Sequence, residues 1–221
     1  MIFKKKYFFA VLIIGFFIIS AFSIKKPKIL IIGDSISIGY TPFVKKHFFD
    51  KATVFHNAGN AQHTGTGLKK IEEWLGDKHW DIIQFNWGLW DLCYRHPDSK
   101  EYGKRDKIHG KPEFTIDEYA SNLDSLVAII KKKSNAKLIF VTTTYVPKDE
   151  TGRYESDVEK YNDAAKLVMK KHNISVNDIY EQSISIHNRY GNGSKDVHYT
   201  TNGYNKLSEL IIEFIETEIK S

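Results

Sequence analysis

Cysteine is almost absent from this chain, and acidic residues are missing from its N-terminal segment. Cys93 is the one cysteine among 221 residues, which excludes an internal disulfide and a cysteine-based zinc cluster. No cysteine stands near Ser23, which excludes a lipoprotein anchor there. Residues 1–23 contain three lysines and no acid, so the formal net charge of +5 falls to +2 without them. This small excess is weak evidence for nucleic-acid binding, and we expect no nucleic-acid partner.

The first 23 residues have the form of a secretory signal. Lysines precede an apolar stretch that begins at Tyr7, and residues 21–23 (Ala-Phe-Ser) form a small-x-small cleavage site. The apolar run also approaches the roughly 17 residues that span a bilayer, so an uncleaved membrane anchor is the alternative. We therefore expect a signal or anchor at 1–23 and an exported domain, periplasmic or secreted, at 24–221. That length suits one well-packed domain.

Short apolar runs alternate with helical patterns along the domain. Strands are predicted at 28–32, 52–56, 81–87, 137–142 and 174–176. Helices are predicted at 36–49, after capping boxes that begin at Thr115 and Ser156, and from about Asn202. This alternation predicts an α/β fold with a parallel sheet covered on both faces. The carboxyl ends of the strands then share one edge, and functional residues are expected in the segments that leave it: 33–37, 57–67, 88–114 and 143–155.

The stretch KILIIGDS, residues 28–35, ends a buried strand on a hydroxyl. Gly33 permits a sharp turn, which would place Ser35 at the start of a helix, where free N–H groups point outward. From these residues alone, Ser35 is either the N-cap of that helix or a nucleophile.

Three later stretches supply the other groups that acyl transfer needs at the same edge. Residues 57–60 (Asn-Ala-Gly-Asn) follow the second strand, and the glycine lets a backbone N–H approach a developing oxyanion. Residues 85–91 run from the third strand into a turn. Residues 196–198 (Asp-Val-His) precede the last helix and provide an imidazole with a carboxylate close by.

With these four blocks in this order, the chain resembles the SGNH (GDSL-type) hydrolases over its whole length after the signal. The resemblance implies a three-layer α/β/α sandwich with a mostly parallel five-stranded sheet, a flavodoxin-like arrangement. It also implies Ser35 as the nucleophile, His198 as the base, and the N–H groups of Ser35 and Gly59 as oxyanion donors. The Gly-x-Ser-x-Gly motif is absent because Ser37 stands where its second glycine would be, which disfavours an α/β-hydrolase elbow.

Two positions depart from the pattern of that family. Trp90 occupies the place of the asparagine that donates to the oxyanion, a donor whose loss costs about 3 kcal/mol. We expect the indole N–H of Trp90, or the amide of Asn86, to replace it; otherwise Trp90 stacks on sugar or packs, and the two N–H groups suffice. Lys195 stands where the orienting acid would be, and Asp196 is predicted to orient His198 instead. A serine–histidine dyad or a backbone carbonyl is the alternative.

The resemblance implies a serine esterase that needs neither metal nor cofactor. A loop at 94–112 is rich in basic and aromatic residues, and Arg95 is predicted to pair with a carboxylate or sulfate of an acylated glycan. The alternative is a solvated loop that only caps the sheet edge. We therefore predict an esterase that removes small acyl groups, such as acetyl, from carbohydrates. An acyltransferase would use the same residues, a non-catalytic glycan-binding protein would need none of them, and the charged loops argue against a lipid-active esterase.

Overall fold

The computed structural model describes residues 26–220, so the predicted signal or anchor at 1–23 lies outside the described residues. Within this range no helix is long and apolar enough to cross a membrane. The elements follow in the order β1 (Lys28–Ile32), α1 (Ser35–His47), β2 (Thr53–His56), α2 (Thr64–Leu75), β3 (Ile82–Phe85), β4 (Tyr94–Arg95), β5 (Lys111–Pro112), α3 (Ile116–Lys133), β6 (Lys137–Val141), α4 (Glu155–Lys171), β7 (Ser175–Asn177), α5 (Tyr180–Tyr190) and α6 (Thr201–Lys220).

The five longer strands form one parallel sheet in the order β2-β1-β3-β6-β7. Helix α6 packs against α1 and α5, while α3 packs against α2 and α4, which gives one helical layer on each face. The predicted three-layer α/β/α sandwich is therefore confirmed. Because helices cover both faces of the sheet, side chains on both sides of β1 are buried and consecutive residues must be apolar. Residues 29–32 are all buried.

The predicted elements and the observed ones differ in a few places. All five strands are found, and Thr115 caps α3 in a full capping box. The predicted capping box at Ser156 is wrong, because α4 begins at Glu155 with Tyr154 as its N-cap and no side chain completes a cap. The hydroxyl of Tyr154 donates to the Lys107 carbonyl, which fixes the chain just before the helix. Helices α2 and α5 were not predicted.

The loop at 94–112 is closed at its base by the two-residue antiparallel strand pair β4–β5. It contains a single 3₁₀ turn, at residues Tyr102–Lys104. The structure has a loop where one was predicted at 94–112, and hydrogen bonds within the loop order it. The carboxyl ends of β1, β2, β3 and β6 all lead into segments on the same edge of the sheet, as the alternating pattern predicts.

Asp91 is buried at this edge and ties the loop after β3 to the first turn of α2. Its Oδ1 accepts from the N–H of Thr64 at 2.9 Å and from the Thr64 hydroxyl at 2.5 Å. Burial raises the pKa of Asp91 to about 7, against the opposing effect of these hydrogen bonds. The folded protein therefore holds this proton more tightly than the unfolded chain does, whose aspartates titrate near pH 4. The contribution of Asp91 to stability should therefore fall as the pH rises from about 4 to about 7.

We expect Asp91→Asn to flatten this dependence, because an amide has no proton to lose. The free energy of unfolding from urea titrations at pH 5 and pH 8 should differ less in the variant than in the wild type, by about 1–2 kcal/mol. Asp98→Asn, an exposed change on the loop, serves as the control. An unchanged pH dependence in Asp91→Asn would show that another group is responsible.

Candidate active site

The turn after β1 presents Ser35 as the first residue of α1. Asp34 is the N-cap, and its Oδ1 accepts from the Ile36 N–H at 2.9 Å, so the capping role belongs to Asp34 and leaves the Ser35 hydroxyl free. Glycine fits closely at position 33, since a Cβ there would lie 2.7 Å from the Ser37 hydroxyl, which would have to move. The N–H of Ser35 lies in the first helical turn, where no carbonyl four residues earlier is available within the helix.

His198 lies in the loop before α6, and the fold brings its ring to Ser35 across 163 residues of sequence. The Ser35 Oγ lies 2.9 Å from His198 Nε2, and His198 Nδ1 lies 2.6 Å from Asp196 Oδ1. Partial burial works to raise the pKa of Asp196, but hydrogen bonds from the N–H and ring of His198 outweigh it and hold the pKa below its usual value. Asp196 is therefore a carboxylate at neutral pH.

An acid two residues before the histidine reaches the ring because of a tight local turn. Asp196 Oδ1 also accepts from the His198 backbone N–H at 3.0 Å, so one oxygen holds both groups of the same residue. His187 of α5 also holds this turn, because its Nε2–H donates to the Asp196 carbonyl at 2.7 Å. Sequence reasoning missed His187, because its position eleven residues before His198 carries no motif.

The loop after β2, which carries Gly59 and Asn60, lies beside the nucleophile turn. Asn57 Oδ1 accepts from the Gly33 N–H at 2.9 Å, and Ala61 N–H donates to the Gly33 carbonyl at 3.0 Å. Gly59 is exposed, whereas Asn60 lines the cavity beside Ser35. The Oδ1 of Asn60 accepts from the backbone N–H two residues later, and its Nδ2 has no acceptor among the described residues. Asn60 was missed as a candidate donor, although it follows the predicted glycine directly.

The loop after β3 places its two candidate donors differently. Trp90 lines the cavity, and its indole N–H has no acceptor among residues 26–220. Asn86 does not line it, because its Nδ2 donates to the Val141 carbonyl at 2.7 Å, next to it in the sheet. Of the two predicted replacements for the absent asparagine, the structure therefore brings only Trp90 to the site. Gly88 makes the turn with a φ of 140°, and a Cβ there would lie 2.2 Å from Thr143.

Arg95 lines the cavity, but its charge is already compensated. Its Nε donates to Glu113 Oε2 at 2.9 Å, another of its nitrogens donates to the Gly103 carbonyl, and its guanidinium covers the Trp90 ring at 5.3 Å from the ring centre. These contacts fix the loop and the indole relative to each other. The predicted binding of a substrate anion by Arg95 must compete with Glu113.

The cavity that begins at Ser35 and His198 has a volume of about 550 Å³. Three further cationic residues line it: Arg105 from the basic loop at 94–112, Lys195 from the position just before Asp196, and Arg153. Arg153 lies in the predicted segment 143–155, and nothing else in the sequence pointed to it. Within residues 26–220 no group of three or more histidine, cysteine or carboxylate side chains is arranged to hold a metal ion.

No family model and no curated protein sequence matches the chain. Several solved structures, in contrast, match its fold. An acetyl xylan esterase, AlAXEase, is 14% identical with a TM-score of 0.68 over 85% of this chain and 99% of that one. A lipase/acylhydrolase from Enterococcus faecalis is 20% identical with a TM-score of 0.67, covering 87% and 96%. Axe2, an acetylxylan esterase from Geobacillus stearothermophilus, is 16% identical with a TM-score of 0.65, covering 86% and 94%.

The parallel sheet, its two helical layers and the serine at the carboxyl end of β1 thus place the chain in a definite structural class. It has the fold of the SGNH (GDSL-type) hydrolases. The resemblance that the four sequence blocks suggested is confirmed at the level of fold.

Proposed function

We propose that the protein is a serine esterase that removes small acyl groups, acetyl in particular, from carbohydrates. The observation that carries the proposal is the continuous chain from Ser35 Oγ through His198 to Asp196, with separations of 2.9 and 2.6 Å, at the mouth of a cavity. These distances fall within hydrogen-bond range, which is the arrangement that activates a serine hydroxyl. The acetylxylan esterases among the similar structures support acetylated carbohydrate as the substrate class.

In this mechanism His198 Nε2 takes the proton from Ser35 as Oγ attacks the ester carbonyl. Asp196 accepts from Nδ1, which keeps the unprotonated nitrogen directed at Ser35 and stabilises the imidazolium that forms. The Ser35 N–H and the indole N–H of Trp90 are the proposed oxyanion donors, and the Asn60 amide is a further one. His198 then returns the proton to the leaving sugar oxygen, and water, deprotonated by the same ring, releases the acyl group and restores Ser35.

Water is the proposed acceptor because the site is open to it. The side chains of His198 and Asp196 are 39% and 43% exposed, so solvent reaches the ring that would deprotonate the attacking water. An acyltransferase would need to keep water away from this intermediate. We also propose, from the sequence of residues 1–23, that the esterase acts outside the cytoplasm on exported or environmental glycans.

Labelling with a fluorophosphonate tests the nucleophile directly. We expect one covalent adduct per chain, located by peptide mass spectrometry at Ser35, because a fluorophosphonate reacts with a hydroxyl that a histidine activates. His198→Ala should abolish the adduct while leaving the protein folded by circular dichroism. An unlabelled wild type, or an adduct on another serine, would contradict the proposal and favour a non-catalytic glycan-binding protein.

A further inference from the structure

Arg153 and Arg105 share one buried carboxylate at the wall of the cavity. The Nη1 atoms of both arginines lie 2.9 Å from Glu150 Oε1, and Glu150 Oε2 accepts from the Gly152 N–H at 2.7 Å. Glu150 is fully buried, and the side chain of Arg153 is only 6% exposed. Because one carboxylate faces two guanidinium groups, this trio carries one net positive charge.

Each of these arginines retains donors that residues 26–220 do not use. Arg153 Nε donates to the Leu89 carbonyl at 2.6 Å, and Arg105 Nε donates to the Tyr102 carbonyl at 3.0 Å. With Nη1 on Glu150 in both cases, Nη2 of each has no acceptor among the described residues. A largely buried guanidinium gains most from its remaining donors when the oxygens of an anion accept them.

Lys195 adds a further positive charge to the lining of the same cavity. Its side chain is exposed, and it forms no ion pair within residues 26–220. Asp196 is the one carboxylate among the described residues that line the cavity, and it is engaged by His198. Arg95, the residue that the loop sequence suggested for this role, is held by Glu113. The uncompensated charge of the cavity therefore lies on the Arg105–Arg153 pair and on Lys195.

We propose that Arg105, Arg153 and Lys195 form a subsite for an anionic group, a carboxylate or a sulfate, on the glycan that carries the scissile ester. The inference deepens the proposed function, on which it rests, by naming acidic acylated glycans as the substrate class. The anion accepts from the two free Nη2 groups, and its position in the same cavity as Ser35 sets which acyl group of the glycan reaches the nucleophile. Arg153 also holds the Leu89 carbonyl, so its replacement would disturb the turn that carries Trp90.

The test separates binding from catalysis by using Ser35→Ala protein in calorimetric titrations. Unacylated galacturonic-acid tetrasaccharide, a sulfated tetrasaccharide and neutral xylotetraose are compared as ligands. We expect an acidic ligand to bind at least about tenfold more tightly than xylotetraose, with a preference that declines as salt is added. Adding Arg105→Gln should remove most of this preference, and adding Lys195→Gln should reduce it severalfold. Lys100→Gln, on the same loop but outside the cavity, is the matched control and should leave it unchanged.

The outcomes distinguish the subsite from the esterase. Equal affinity for acidic and neutral glycans, or a preference that survives both Arg105→Gln and Lys195→Gln, would overturn the subsite whatever the catalytic result. An adduct at Ser35 with no acidic preference would leave the esterase in place and remove this inference. An acidic preference without any adduct would support the subsite and contradict the esterase. Stronger binding of the sulfated ligand than of the uronic acid would assign the subsite to sulfate.

Discussion

Replacing Ser35 with alanine is expected to lower kcat/KM for an aryl acetate by about 10⁴-fold or more. The reason is that Ser35 Oγ is the atom that bonds to the acyl carbon, and His198 has no other hydroxyl within hydrogen-bond distance among the described residues. Only binding and the oxyanion donors remain in the variant, so the residual rate should approach the background reaction. The measurement is release of the aryl alcohol, followed spectrophotometrically.

A matched serine change shows whether the loss is specific. Ser185→Ala alters an exposed hydroxyl on α5 and should retain the wild-type rate. The double variant Ser35→Ala/His198→Ala should be no slower than Ser35→Ala, because residues that act as one unit lose their effect together. Equal rates in the wild type and Ser35→Ala would contradict the assignment of the nucleophile.

Asp196→Asn is expected to lower kcat by about 10³-fold with little change in KM. An amide can still accept from the His198 backbone N–H, but it cannot compensate the imidazolium, and its NH₂ group favours the wrong ring tautomer. Removing a buried triad acid costs about 10⁴-fold. A somewhat smaller loss is expected here, since the Asp196 side chain is 43% exposed and water can partly replace it. Steady-state hydrolysis of the aryl acetate provides both constants.

The same variant decides between the alternatives for orienting His198. Retention of activity within about tenfold would favour a serine–histidine dyad or orientation by a backbone carbonyl. Asp77→Asn, which alters an exposed aspartate just beyond the C-terminal end of α2, is the control for charge removal. Adding Lys195→Asp to Asp196→Asn should not restore activity, because only the tight turn at 196–198 brings a carboxylate to His198 Nδ1.

Local pattern was sufficient for most of the fold. The four consecutive buried residues of β1 follow from burial of that strand on both faces. The apolar stripe of α3 after Thr115 follows from the helical period. Both patterns are visible in the sequence. Helix α2 was missed because its N-cap, His63, is not among the residues that usually cap helices, and because its first turn coincides with the functional loop. Helix α5 was missed since its buried residues include Ser183 and His187, which interrupt the apolar pattern.

The amino-acid sequence determined the kinds of groups that the site contains and their order along the chain. Ser35 and His198 were identified through the four ordered blocks, which resemble those of the SGNH hydrolases, and Asp196 through its position two residues before His198. The tertiary structure decided which groups meet there. In the folded protein the Asn86 amide donates to a neighbouring carbonyl, and Arg95 pairs with a glutamate. Asn60 lines the cavity, whereas Gly59 does not. Such choices depend on side-chain contacts between segments far apart in sequence, and no local pattern encodes them.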